Sequence, residues 1–186
     1  MLKYTGFDIV FQEIPDEVTL AVNISNCPHR CPGCHSPYLW EDTGEPLTTA
    51  VLADWLTRYG KKITCICFMG GDASPVEVAG LARYLGTQLV APVKTGWYSG
   101  RSSLPEGFST EWFHYIKLGP YLQEKGPLSS PGTNQRLYRR LTVPAKFLPD
   151  PACRAAAAQD PIGLSPEIWE DITGQMHRQA PYILSC

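Results

Sequence analysis

The stretch NISNCPHRCPGCHSPYLW (residues 23–40) places Cys27, Cys31 and Cys34 in a CxxxCxxC pattern with no fourth cysteine nearby. Metal sites that serve only structure are normally closed by four protein ligands. Three thiolates leave one corner open, and an open corner is what separates a reactive metal centre from a structural one. Two closures remain possible on residue type. His29 or His35 could complete a Cys3His zinc site, or three corners of an iron–sulfur cube could be held with one iron left free.

Working outward, the segment before the loop, EVTLAVNIS (17–25), is near-continuously apolar through Val18, Leu20, Val22 and Ile24 and reads as a strand. After the loop, PLTTAVLADWLTRYG aligns Val51, Leu52, Trp55, Leu56 and Tyr59 on one helical face, with Gly60 as the stop. A buried strand, KITCICFM, then runs into GGD at 70–72. Ser74, Pro75 and Glu77 have the spacing of a capping box for a helix that Gly86 closes. Strands are expected around 88–93, 95–99 and 113–118, then an apolar-basic stretch, RLYRRLTV. A last amphipathic helix is expected over 165–179, with Ile168, Ile172 and Met176 in register.

Alternation of strand and helix predicts right-handed crossovers and a parallel sheet. In such a sheet the cysteine loop and the GGD turn both leave carboxyl ends of strands, where α/β proteins place their ligands. The two motifs are therefore expected to face one pocket.

The 186 residues suffice for one domain. With 44% apolar and 18% charged residues the chain is globular rather than disordered. A net charge of −2 gives no electrostatic footprint for nucleic acid or an anionic membrane. No apolar run reaches the length of a spanning helix, and the charged amino-terminal stretch lacks the apolar segment of a secretory signal. Seven cysteines, three of them in one loop, make a poor disulfide framework and suit a reducing compartment, so a cytoplasmic location is expected.

CxxxCxxC after one strand and a glycine-glycine-acid turn after the next resemble the radical S-adenosylmethionine enzymes. Within that group CPHRCPGCHSPYLW, FMGGD and GPY…TNQR are similar to the activating proteins of anaerobic ribonucleoside-triphosphate reductase. The resemblance covers roughly residues 7–140. It implies an α/β fold, an incomplete parallel (β/α) barrel with the site at the carboxyl edge of its strands. It divides the chain into a core over 1–143 and an extension over 144–186 packed on that core in the same domain. It also implies that Cys27, Cys31 and Cys34 hold three irons of a [4Fe–4S] cluster whose fourth iron binds S-adenosylmethionine. Gly33, Cys34 and His35 would lie along the adenine, and Gly70, Gly71 and Asp72 would receive the methionine ammonium. Reductive cleavage of the sulfonium would give a 5′-deoxyadenosyl radical, used to install a glycyl radical on a partner enzyme. An electron donor such as a flavodoxin or ferredoxin is implied as a second partner. Rival readings keep the radical chemistry on a small molecule or peptide, or replace it with a zinc-binding interaction module.

Other residues read more plainly. Cys65 and Cys67, two apart in an apolar strand, are expected as small core side chains. Cys153 and Cys186 have no partner pattern, and His29, His114 and His177 are expected at the surface or in packing. Lys94, Tyr98, Ser99 and Arg101 are candidates for ribose or carboxylate contacts at a strand end. Asn134, Gln135 and Arg136 are candidates for partner docking or cofactor shaping.

Overall fold

A computed structural model of the chain describes residues 1–88, 92–141, 162–164 and 168–178. They form one eight-stranded mixed sheet. Its strands are β1 (Lys3–Val10), β2 (Thr19–Ile24), β3 (Glu45–Pro46), β4 (Cys65–Met69), β5 (Lys94–Tyr98), β6 (Tyr115–Leu118), β7 (Arg136–Arg140) and β8 (Trp169–Asp171). Across the sheet the order is β3-β1-β2-β4-β5-β6-β7-β8. The central block β2, β4, β5 and β6 is parallel, with Val22 beside Phe68, Phe68 beside Trp97 and Trp97 beside Ile116. Both flanks are antiparallel: β1 folds back on β2, and β7 and β8 run as successive reversals beyond β6.

Side chains alternate across a strand, and here the alternation sorts two chemistries. Leu20, Val22, Ile24, Ile66, Phe68, Trp97, Ile116 and Leu118 join the larger core on one face. Helices α1 (Thr49–Tyr59) and α2 (Pro75–Gly86) cover that face with Leu52, Trp55, Leu56, Val78, Leu81, Ala82 and Leu85. Thr48 caps α1 by accepting from the Val51 N–H at 3.4 Å. The Ser74 side chain makes no capping bond, so the expected box is not closed; Glu77 instead accepts from the Ser74 hydroxyl and the Leu2 N–H.

The other face carries Cys65, Cys67, Tyr98 and Tyr115, packed under Ile14, Leu128, Leu137, Ile172 and Met176. This second core plugs only part of its face. Toward the carboxyl edge of the parallel strands the face stays open, and Ala21, Asn23, Met69, Tyr98 and Lys117 line a cavity of about 660 Å³.

Three expectations change. Residues 3–10, to which no element was assigned from the sequence, are a strand, and its register with β2 slips between Tyr4 and Gly6. The described part of 165–179 is not one helix: Trp169–Asp171 pairs with β7, and only Thr173–Arg178 is helical, as α3. The strand expected at 88–93 falls partly outside the described residues, and β5 begins at Lys94. Cys153, Cys186 and most of 144–186 also lie outside them. No helix among the described residues is long and apolar enough to cross a membrane.

Candidate iron–sulfur site

The cysteine loop leaves β2 at Ser25 and is held at its two ends. Asn26 N–H donates to Glu41 O at 3.0 Å and Cys27 N–H to Leu39 O at 2.9 Å, tying its start to the 3-10 turn Pro37–Trp40. Cys34 N–H closes a tight turn on Cys31 O at 3.1 Å, and Ser36 N–H points at Cys34 Sγ at 3.4 Å. The chain reverses sharply enough to put Asn26, Arg30 and Gly33 at φ of 60°, 43° and 74°. Asn and Gly tolerate that region; Arg30 is a residue held there by its surroundings.

Cys27, Cys31 and Cys34 are free, half-buried thiols, and all three line the cavity. Burial pushes the Cys27 thiol up, opposed by the backbone amides of His29 and Arg30. A thiol in that state becomes a thiolate when a metal or other cation joins it. Among the described residues, no group of three or more His, Cys, Asp or Glu side chains is placed to hold a single metal ion. A single zinc draws its thiolates to about 2.3 Å from one point, whereas a cube offers each thiolate its own iron. Three free thiols that line one cavity fit the donor chemistry of an iron–sulfur cluster.

The GGD turn stands at the end of β4. Gly70 and Gly71 have φ of 102° and 87°, a conformation that favours glycine. Gly70 O accepts from Trp97 Nε1 at 2.8 Å, so the turn is fastened to a fully buried indole of the larger core. Gly70 and Asp72 line the cavity beside the cysteines, which joins the two motifs as the strand order requires. Gly71 turns away onto Val78, Ile24 and Leu2. Gly33 faces Gln123, whose side chain fills the space a Cβ would take, while Cys34 and His35 stand at the cavity wall.

Asp72 is buried and its carboxylate is heavily engaged. Ser99 Oγ donates to Oδ1 at 2.6 Å and Gly100 N–H to Oδ2 at 2.9 Å. Burial alone would raise its pKa, but the His29 ring, Ser99 and the Gly100 amide outweigh that and hold it below the usual carboxylate value. Arg101 Nη2 donates to the Asp72 carbonyl at 2.9 Å. Ser99 and Arg101 therefore work on Asp72, and Tyr98 lines the cavity. Lys94 lies at the opposite edge of the sheet, where β5 starts, and pairs with buried Glu17 at 2.5 Å. Gln135 reaches the cavity, whereas Asn134 donates to Pro120 O and Arg136 to Thr133 O.

Sequence reasoning passed over Glu13 and Lys117. Lys117 is 8% exposed on β6, with Nζ donating to Ser99 O at 3.2 Å and Gly119 O at 2.8 Å. Its signal was a lone cation inside YIKL, on the same face as Tyr115. Burial lowers its pKa from 10.5 to about 8, against the opposing pull of Asp72, Cys31 and Cys27. Glu13 is pushed up by burial, opposed by His35 and Lys117.

Lys117 sets a stability test. Below pH 8 both folded and unfolded chains carry its charge, and the cost of burying it is felt in full. Between about 8 and 10.5 the folded chain releases the proton first, so the wild type gains stability as pH rises. Lys117→Met is expected to stabilise the metal-free protein at pH 7 by about 1 kcal/mol. Paired chemical denaturation curves should show that gain shrinking through this window.

Cys65 and Cys67 are fully buried, and burial pushes both thiols well above their ordinary value, which leaves them inert. Alanine at either position is expected to cost about 1 kcal/mol of packing and to leave the iron content unchanged, checked by denaturation and iron analysis.

Comparison with curated proteins and with solved structures finds no match. Residues 17–98, which run from before β2 to the end of β5 and contain the cysteine loop and the GGD turn, match the family model of the 4Fe-4S single cluster domain. That region of the chain is thus similar to a 4Fe–4S cluster domain, and the three-cysteine loop lies inside it.

Proposed function

We propose that this protein is a radical S-adenosylmethionine enzyme that installs a glycyl radical on a partner enzyme, with anaerobic ribonucleoside-triphosphate reductase as the expected partner. The observation that carries the reading is the single cavity onto which Cys27, Cys31, Cys34, Gly70 and Asp72 all open. In this reading the mixed sheet is the wall of an incomplete (β/α) barrel, and the open part of its inner face is the reaction chamber.

Cys27, Cys31 and Cys34 would hold three irons and leave the fourth for the cofactor. When bound, the cluster and S-adenosylmethionine supply an electron and a sulfonium whose cleavage yields methionine and a 5′-deoxyadenosyl radical. The chain's own part is to bind, orient and exclude water. Cys34 and His35 form one wall. Gly70, with no Cβ, lets a ligand approach the backbone closely. Lys117 places a buried cation at the wall, suited to an anionic end of a ligand, and Glu13 adds a carboxyl of raised pKa. Tyr98, Met69 and Met176 give the chamber apolar surface on its inner side.

The test is direct. Protein purified without oxygen should contain iron and sulfide in equal amounts; zinc without sulfide would end the proposal. The reduced protein, mixed with S-adenosylmethionine and the candidate reductase, should give a glycine-centred paramagnetic doublet. Deoxyadenosine formed without that doublet would move the substrate to a small molecule or peptide.

A further inference from the structure

We propose that His29 is a positioning residue that locks the middle of the cysteine loop onto the buried Asp72 carboxylate, so that the cysteine triad and the GGD turn are set by one contact. The cluster arm of the test rests on the iron–sulfur reading above.

His29 lies midway between Cys27 and Cys31, beside the strained Arg30. The ends of the loop are pinned by backbone bonds; no backbone N–H of residues 28–33 finds a backbone carbonyl among the described residues, and the His29 and Arg30 amides turn to the Cys27 thiol instead. Arg30 reaches only exposed Glu41, at 3.3 Å, and the neighbouring Trp40 carbonyl. In the middle of the loop Pro28, Arg30, Pro32 and Gly33 are exposed, whereas the His29 ring turns inward. Its Nε2 is buried and stands 3.3 Å from Asp72 Oδ2, within ion-pair distance though outside hydrogen-bond geometry. The ring also rests on Gly100: a Cβ there would come within 2.4 Å of His29 Cδ2 and 2.9 Å of Cγ. Gly100 is small because the imidazole occupies the place of its side chain.

From Asp72 the support continues. Ser99, Gly100 and Arg101 surround the carboxylate, Ser99 N–H donates to Lys117 O at 2.9 Å, and Gly119 N–H to Arg101 O at 2.7 Å. The carboxylate side chain is only 1% exposed. A buried carboxylate needs partners on every side, and a lone unpaired one is costly. Here the partners come from the 99–101 turn and, across the cavity, from the cysteine loop. Asp72 is therefore directed to its own chain, and its oxygens are not free to serve as the receptor of a ligand ammonium.

Two measurements on the full chain test this. In the metal-free protein, alkylation by iodoacetamide, followed by mass spectrometry, reports loop mobility. His29→Ala should speed modification of Cys27, Cys31 and Cys34 by about tenfold, the scale of one lost charge-assisted contact. Cys65 and Cys67 should remain protected, which shows that the fold is intact. In the reconstituted protein, His29→Ala should release iron to a chelator about tenfold faster and change the paramagnetic spectrum of the reduced cluster before any S-adenosylmethionine is added. His29→Gln, which keeps a donor, should recover part of both effects. Asp72→Asn should reproduce the His29→Ala alkylation phenotype, and the double variant should be no worse than either single one.

Unchanged alkylation and iron release in His29→Ala would overturn the proposal. So would an Asp72→Asn protein whose loop and cluster are unaltered but whose S-adenosylmethionine affinity has collapsed, because that outcome makes Asp72 a ligand receptor. A wild-type protein that takes up no cluster would refute the iron–sulfur reading, and the alkylation rates would still decide the role of His29.

Discussion

Alanine at Cys27, Cys31 or Cys34 is expected to abolish cluster binding and all S-adenosylmethionine cleavage. Each thiol has a separate iron to hold in the proposed cube, and none of the others can substitute for it. Among the described residues no fourth cysteine can step in, because Cys65 and Cys67 are sealed in the second core. Wild-type protein reconstituted without oxygen should bind about four iron and four sulfide per chain. Each single variant should fall well short of that, with deoxyadenosine formation below detection. Global stability of the metal-free chain should barely change, since the three thiols are half-buried and join neither core. Full activity in any one of the three variants would remove that cysteine from the site.

Trp97→Ala is expected to rank among the most destabilising single changes in the core. The ring is completely buried, stacks on Phe108 with centroids 4.7 Å apart and lies 6.1 Å from Phe113. Its loss should cost about 3–5 kcal/mol, seen as a lower denaturation midpoint with an unchanged slope. The indole also holds Gly70 O through Nε1, so the damage reaches the GGD turn. Trp97→Phe separates the two effects. It keeps most of the apolar contact, removes the donor to Gly70, and should cost about 1–2 kcal/mol together with weaker cofactor binding. A loss below about 1 kcal/mol in Trp97→Ala would show that the ring is not the keystone of that core.

How far the sequence could be read depends on how local each signal is. CxxxCxxC and GGD are short spacings, and the apolar strands EVTLAVNIS and KITCICFM announce themselves within a few residues. Helices α1 and α2 are legible for the same reason, since one turn of apolar spacing is visible in one segment. Strand β1 is not: in KYTGFDIV no residue is buried, Gly6 interrupts the run, and the strand exists because β2 pairs with it. The 165–179 segment misleads because Ile168, Ile172 and Met176 keep helical spacing while Trp169–Asp171 is captured as an edge strand by β7. Lys94 shows how a boundary of a few residues moves a side chain from one edge of the sheet to the other, from the ligand side to a pairing with Glu17.

Residue type and short spacing were enough to name the candidate donors, three thiols on one loop with a glycine turn to follow, because ligand chemistry resides in those two features. Tertiary structure alone decided what those donors stand against. His29 meets Asp72 across 43 positions of chain (72 − 29), and Lys117 joins the same cavity from a strand further on. Such meetings depend on which strands lie side by side and which way each residue points, and only the folded sheet fixes both.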